Sequence, residues 1–470
     1  MSSCRGSVLE SLVTRLGEAN VLVGDADIAP YVQDWRGAYH GTAIAVASPS
    51  ATEEVADIVR MCRSAGVPIV PQGGNTGMCG GAIPDASGSA VVIALRRMNR
   101  VLDVDARDDT ITVEAGCVLA RVQEAAASVD RLFPLSLAAE GSCQIGGNLA
   151  TNAGGINVLR YGNARDLVLG LEVVLPDGTV WNGLRALRKD NRGYDLKQLF
   201  IGAEGTLGII TKAVLKLFPR PEERITALLG VSSPDAAVTI LARLRERCAE
   251  ALTAYELVQH SCLELVYRHV PGTRAPLAEP HPWYVLLDLA GSSGEVALRA
   301  ELEELLGEQA ERGHLANAVI AQTVGQSQDL WRLRESIPDA IRAEGPALRS
   351  DIAVSVNRIP AFVAQATDAI SASAPGSRIV CFGHVGDGNL HFNVLPDART
   401  GAAADWANRL YPVLYDVVDA LQGSFSAEHG IGQAKRDELR RYKSDVELAM
   451  MRTLKQAFDP MNLMNPGKVL

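Results

Sequence analysis

A chain of 470 residues is too long for a single hydrophobic core, so two or three domains are expected. Its apolar fraction of 47% and charged fraction of 21% are those of a soluble globular protein. A net charge of −10, with no basic block, argues against nucleic acid as a partner. No apolar run approaches the roughly 20 residues that span a bilayer; "LVLGLEVVLP" is among the longest. The N-terminal "MSSCRGSVLESLVTRLG" lacks the uninterrupted apolar core of a secretory signal, and Glu10 weakens a mitochondrial reading. Eight cysteines lie scattered without a CxxC pair and read as reduced, mostly buried thiols of a cytoplasmic protein.

In chain order, "SATEEVADIVRMCRSAG" opens with Ser50 and Glu53 at capping-box spacing and carries Val55, Ile58, Val59 and Cys62 on one helical face. "VPIVP" follows as a short buried strand and runs directly into the glycine-rich "PQGGNTGMCGG", residues 71–81. "SAVVIAL", "VLDVDARDDTITVEAG" and "DLVLGLEVVLPDGTVW" supply further strands, with a second glycine-rich stretch, "AAEGSCQIGGNLATNAGGINVLRYG", at 138–162. "TLGIITKAVLKLFPRPEE" closes this half, with Pro219 and Pro221 marking a boundary. Beyond it the strands "ITALLGV", "LTAYELV", "WYVLLDLAG" and "NAVIAQT" alternate with helices such as "SPDAAVTILARLRERCAEA" and "GEVALRAELEELLGEQAERG". That alternation predicts an α+β sandwich with helices over one sheet face. A mainly helical segment with a turn-rich tail, "NPGKVL", ends the chain.

Four places carry chemistry. Glycine lets a backbone approach a ligand closely, so its amides can converge on an anion. Neither glycine-rich stretch is a Walker loop, since no GK[ST] follows, and neither is a GxGxxG that opens a helix. Each alone could be an ordinary loop; two of them, rich in Asn, Thr and Ser, point to a large phosphate-bearing cofactor without saying which. The third place is "CFGHVGDGNLHFNVLP", residues 381–396. With Asp387-Gly388 as a two-residue hairpin turn, His384 and His391 become direct cross-strand neighbours, with Cβ atoms roughly 5 Å apart. Two such imidazoles suit a metal ion, although His391 capping a strand and His384 satisfied in a core is the plainer alternative. In "FSAEHGIG", Glu428 and His429 are adjacent, so in extended backbone they point oppositely. A carboxylate and two imidazoles form a three-ligand set that leaves positions open for a substrate. His429 is a candidate general base, because imidazole titrates near working pH.

"PQGGNTG", "GSCQIGGNLATNAGGINVLRYG" and "IGAEGTLGII" resemble the FAD-binding half of the vanillyl-alcohol oxidase/p-cresol methylhydroxylase superfamily. "GHVGDGNLHFNV", "SAEHGIGQAKR" and "NPGKVL" resemble the FAD-linked oxidase C-terminal domain. Together they resemble the FAD-linked D-2-hydroxyacid dehydrogenases, those acting on D-2-hydroxyglutarate most of all. The resemblance implies an α+β protein: a two-subdomain FAD-binding domain over 1–222, an α+β substrate domain over 223–425, and a C-terminal helical segment, 426–470, that packs back on the FAD domain. It implies that Pro71, Gly73, Gly74, Asn75, Thr76 and Gly77 cradle the FAD pyrophosphate. Gly141, Ser142, Gly146, Gly147, Asn148, Thr151, Asn152 and Gly155 would line the rest, with Ile209 near the adenine and Asn465 returning to the flavin. The first loop holds no histidine, and Cys79 is taken as structural, so non-covalent FAD is expected.

His384, His391 and Glu428 match that family's metal ligands, with Zn²⁺ expected although Mn²⁺, Fe²⁺ or Co²⁺ suit the same set. Arg334 falls at the family's substrate-carboxylate arginine, and Arg349 where relatives often carry lysine. Asn393, on the strand face of His391, would join His384 and His429 at the substrate. Two departures bear on the choice of acid: Pro338 stands where dicarboxylate-binding members have a hydroxyl residue, and Arg349 is longer and planar where lysine is compact. The expected reaction is oxidation of D-2-hydroxyglutarate to 2-oxoglutarate, with a protein or quinone as electron acceptor and a homodimer as the assembly. D-lactate or glycolate, an oxidase using O₂, and a non-catalytic flavoprotein subunit are the alternatives.

Overall fold

The structure, a computed structural model, describes residues 2–248, 250–291, 295–397 and 405–470, without the side chains of 2–5, 295 and 296. Ala249 and Gly294, at the ends of two expected helices, and the thiol of Cys4 therefore lie outside the described residues. The other seven cysteines are free and buried. The chain packs as two compact units: Met1–Gly155 with Gly162–Arg220 and Glu428–Leu470, and Ile156–Tyr161 with Pro221–Ala427.

The first unit contains two main sheets. In one, β1 (Val21–Leu22) pairs antiparallel with β2 (Ala45–Ala47), while β2 and β3 (Ile69–Gln72) flank β4 (Val91–Ala94) in parallel. Strands β2 and β4 are buried along their whole length, as parallel strands covered on both faces must be. The helix Thr52–Ala65 covers this region with Val55, Ile58, Val59 and Cys62, all fully buried. Its start differs from the expected capping box. Ala51 is the N-cap, and Glu54 rather than Glu53 reaches back to the Ser50 amide and hydroxyl, at 2.7 and 3.1 Å. The helix begins at Thr52, so the third helical position, from which a carboxylate can turn back, is 54. The tail lies along the edge of β3: Ile69 N donates to Leu463 O at 2.8 Å and Asn465 N to Ile69 O at 2.7 Å.

The other sheet is antiparallel, in the order β5 (Val101–Asp105), β6 (Thr110–Glu114), β9 (Ile209–Lys216), β7 (Val168–Val174), β8 (Val180–Gly183). Buried Glu172 is kept ionised there by Lys212 at 2.9 Å and by the hydroxyls of Thr52 and Thr211. Burial works against that charge, but these bonds outweigh it and lower the carboxyl pKa.

The second unit is built on a seven-stranded antiparallel sheet. Its strands are β10 (Glu223–Val231), β11 (Leu252–Gln259), β12 (Trp283–Gly291), β13 (Leu315–Ile320), β14 (Ile352–Ala353), β15 (Arg378–Gly383) and β16 (Asn389–Leu395), in the order β13-β10-β12-β11-β15-β16-β14. Helices lie on both faces, not on one as expected. Ala254 and Val258 pack with Cys262, Val266, Leu330 and Ile341 of helices on one side. Tyr255, on the opposite face of the same strand, donates its hydroxyl to Ala237 O of the helix Pro234–Cys248 at 2.7 Å. The reason is visible in the strands: β11 and β12 are buried at successive residues, and an apolar run without alternation needs cover on both sides. Among the described residues no helix is long and apolar enough to cross a membrane.

Candidate active site

In the second unit the two expected histidines do meet, by a different route. β15 ends at Gly383 and β16 starts at Asn389, and Phe382, not His384, pairs with His391. The connection is five residues rather than two. A type I′ turn needs positive φ at both central residues, and Asp387 does not adopt it. The Gly386 amide is instead taken by Tyr255 O of β11, at 3.1 Å, which opens the turn. Gly388 holds φ 92° with the Val354 carbonyl so close that a Cβ would lie 2.2 Å from it. His384 stands two residues past Phe382, and its ring still lies 5.9 Å from that of His391, centroid to centroid. A ring nitrogen of each is within 4.8 Å of one of the other.

Both rings border a buried ionic cluster. Glu256, on β11, accepts from His384 Nδ1 at 2.5 Å with one oxygen and from Arg334 Nε at 2.7 Å with the other. Arg334, near the end of the helix Val324–Glu335, is itself buried and lies with its guanidinium carbon 4.7 Å from the Phe382 ring centroid. Burial alone would raise the Glu256 carboxyl; the imidazole and guanidinium outweigh it and hold it well below the usual carboxylate range. Glu256 was not singled out in the sequence, although a carboxylate inside the apolar run "LTAYELV" is a signal of a paired charge.

The other expected residues of this unit differ in surroundings. Asn393 is buried on β16, and its amide nitrogen donates to the Val380 and His391 carbonyls, both at 3.3 Å. Arg349 has an exposed side chain, while its carbonyl accepts from the Tyr411 hydroxyl at 3.1 Å. Pro338 is exposed in the first turn of the helix Ile337–Ala343, where a missing N–H costs nothing.

In the first unit the side chains of the glycine-rich loops mostly hold the loops themselves. Asn75, at φ 55°, donates to Pro30 O and Gln33 O; Asn152, at φ 52°, accepts from Arg165 N at 2.9 Å. Thr151 donates to Gly147 O at 3.0 Å, Ser142 bonds Ala139 O at 3.4 Å, and Asn148 bonds the Cys143 sulfur. Ile209, at the start of β9, is 1% exposed. Gly74 is required by packing, since a Cβ there would lie 2.2 Å from Ser142 O. Gly77, Gly141 and Gly147 differ: a Cβ on any of them would meet nothing within 4 Å.

The C-terminal part of this unit is tied to the same loops. Cys79 Sγ bonds Gly430 O at 3.3 Å, and the buried Glu204 carboxylate accepts from the Ile431 and Gly432 amides at 2.7 and 2.8 Å. Burial raises the Glu204 carboxyl despite those bonds. Glu204 also escaped the reading of "IGAEGTLGII". Glu428 accepts from the Gly155 amide at 3.0 Å, and it and His429 are half-buried. Asn465, at φ 46°, donates to Gly81 O and Glu204 O.

These residues fit the cofactors expected of them. Among the described residues, Gln144 Oε1 and Asn465 Oδ1 are buried acceptors without a donor, and Gln144 flanks Gly73 in the first loop. With the open space before Gly77 and Gly147, they suit a large ligand bound mainly by main-chain groups. In the second unit His384 bonds Glu256 through Nδ1, so an ion would be taken on Nε2.

Comparison with known proteins is consistent along the whole chain. Residues 43–183 match the FAD binding domain family and residues 220–469 match the FAD linked oxidases, C-terminal domain. A D-2-hydroxyglutarate dehydrogenase of Xanthomonas citri pv. viticola is 41% identical over 451 residues, 94% of this chain and 93% of the relative. A mitochondrial D-2-hydroxyglutarate dehydrogenase of Bos taurus is 38% identical over 97% of this chain and 82% of its own. The solved structure of p-cresol methylhydroxylase with substrate bound superposes with a TM-score of 0.78 over 100% of this chain and 97% of its own, at 17% identity, a likeness of fold. The chain thus belongs to the FAD-linked oxidases, in the family of the D-2-hydroxyglutarate dehydrogenases, and is an FAD-dependent oxidoreductase acting on a CH–OH donor.

Proposed function

We propose that the protein oxidises D-2-hydroxyglutarate to 2-oxoglutarate. The observation that carries this reading is the buried cluster in which Glu256 holds Arg334 and His384 beside His391; the relatives' names support the choice of acid. When bound, FAD supplies the acceptor for the C2 hydrogen with its electron pair, and a divalent ion supplies Lewis-acid polarisation of the hydroxyl. His384, His391 and Glu428 hold that ion, for which Zn²⁺ is proposed on the imidazole–carboxylate donor set. Glu428 follows directly on Ala427, whose amide donates to Asp351 O at 3.2 Å within the second unit. His429 takes the hydroxyl proton on a ring nitrogen. Arg334 offers a carboxylate the Nη edge that Glu256 does not use, and Arg349 and Asn393 add a second cation and a hydrogen bond.

FAD is assigned to the first unit, on Pro71 to Gly77, Gly141 to Gly155, Ile209 and Asn465. Non-covalent attachment is supported by the buried Cys79 thiol, spent on the Gly430 carbonyl. A protein or quinone acceptor and a homodimer rest on the family resemblance, and a cytoplasmic setting on the seven free buried thiols. The test is anaerobic bleaching of the visible flavin band by D-2-hydroxyglutarate, L-2-hydroxyglutarate, D-lactate and glycolate, each alone. Fast reduction by D-2-hydroxyglutarate only is the expected result. Preference for D-lactate or glycolate moves the assignment to a shorter acid and makes Pro338 the first residue to exchange. No reduction by any acid overturns the mechanism.

A further inference from the structure

Glu256 is buried to 1% exposure in the middle of a central strand, on the same sheet face as Phe382, His391 and Asn393. A carboxylate taken out of water at such a point is costly unless its oxygens are bonded and its charge is matched. Both conditions are met by two groups that the proposed function uses: Oε1 receives His384 Nδ1 and Oε2 receives Arg334 Nε. Well-packed apolar side chains in place of a buried ion pair are often neutral or stabilising, so stability alone is a weak account of this cluster. What the carboxylate does supply is orientation. A hydrogen on Nδ1 fixes the tautomer that leaves Nε2 unprotonated, and an anionic acceptor raises the basicity of that lone pair. The bond to Nε, with the guanidinium carbon 4.7 Å from the Phe382 ring centroid, restrains the guanidinium and so its Nη edge.

We propose that Glu256 is a positioning residue that sets both halves of the substrate site at once, His384 as a metal ligand and Arg334 as a carboxylate anchor. This rests on the reading of His384 and Arg334 given above. It extends that reading with a residue that touches neither ion nor acid and couples the two through one carboxylate. Because one group serves both, a change at Glu256 weakens ion binding and acid binding together, whereas changes at His384 or Arg334 act chiefly on one.

The test uses the full-length, flavin-loaded protein. Affinity for Zn²⁺ or Co²⁺ is measured by competition with a chelator, and KM and kcat are measured for D-2-hydroxyglutarate, with the inhibition constant of glycolate, which lacks the second carboxylate, measured against it. In Glu256→Gln the amide keeps a hydrogen-bonding group and loses the charge. Ion affinity is expected to fall 10- to 100-fold, with KM for D-2-hydroxyglutarate rising more than the inhibition constant of glycolate. The double variant Glu256→Gln with Arg334→Met removes the buried cation that the single variant strands, and so keeps a folded protein for the ion titration if the single variant unfolds. It should show the same loss of ion affinity. Ion affinity within twofold of the parent in either variant, with only the melting temperature lowered, overturns the proposal and leaves Glu256 structural. A parent protein that binds no divalent ion overturns the metal reading itself, together with the His384 half of this one. Retained flavin in every variant separates these outcomes from loss of the cofactor fold.

Discussion

The glycine-rich loops of the first unit and the sheet face of the second solve opposite problems. In the loops, polar side chains such as Asn75, Asn152 and Thr151 are turned inward to hold the backbone, and space is left in front of Gly77, Gly141 and Gly147. On the sheet face the backbone is regular, and the buried Glu256 carboxylate lies 2.7 Å from the Arg334 guanidinium and bonds His384 as well. On the proposed function, one region recognises by main-chain shape and the other by side-chain charge. The first should therefore be sensitive to added volume and the second to altered charge.

Four experiments would break or sharpen that contrast. The largest effect is expected at His429. His429→Gln should slow anaerobic flavin reduction by D-2-hydroxyglutarate roughly 10²–10⁴-fold, the usual worth of a general base, with flavin content unchanged. A rate within threefold of the parent would remove His429 from the mechanism. Stripping divalent ions with a chelator should come next, with a loss of about 100-fold that added Zn²⁺ or Mn²⁺ reverses. The flavin spectrum should stay intact, because none of the three proposed ion ligands is among the residues assigned to FAD. If the flavin leaves with the ion, the two regions are not separable in this way.

Volume added to the loops should divide the glycines. Gly74→Ala drives a Cβ into the Ser142 carbonyl and should cost about 1–3 kcal/mol in urea unfolding of the flavin-loaded protein. Gly77→Ala meets no protein atom within 4 Å and should fold normally while weakening FAD retention. Equal behaviour of the two would mean that the space before Gly77 is not the cofactor's. The smallest effect is electrostatic. Burial raises the Glu344 carboxyl, and bonds from His269, Arg378 and Arg268 outweigh it and hold it at about 2. Since its folded value lies below the ordinary 4.5, its contribution is complete above that pH and is lost as the pH falls towards 2. Denaturant midpoints of Glu344→Gln should therefore fall less steeply across that window than those of the parent.

Much of the architecture could be read from the residues in order. The strands in "SAVVIAL", "DLVLGLEVVLPDGTVW", "ITALLGV" and "WYVLLDLAG" are strands in the structure, and the helix around Val55, Ile58 and Val59 buries that face. The meeting of His384 with His391 was also legible, from two histidines around an Asp-Gly turn. Its register was not. Asp-Gly favours a two-residue turn when only local forces act, and here the Gly386 amide finds the Tyr255 carbonyl, 131 positions away in sequence. Cover on both sheet faces was overlooked for a similar reason, although the unalternating strands implied it.

What the sequence determined by itself is local: where strands, helices and glycine loops fall, and which residue types are present for metal, acid and flavin chemistry. These follow from periodicity, turn preference and backbone freedom, which act over a few residues. Only the tertiary structure decided which charges answer one another. Glu256 reads as one polar letter in an apolar strand until the fold brings Arg334 from a helix 78 residues on and His384 from a loop 128 residues on. Burial then makes each of the three need the others, because a charge removed from water is stable only beside its partner.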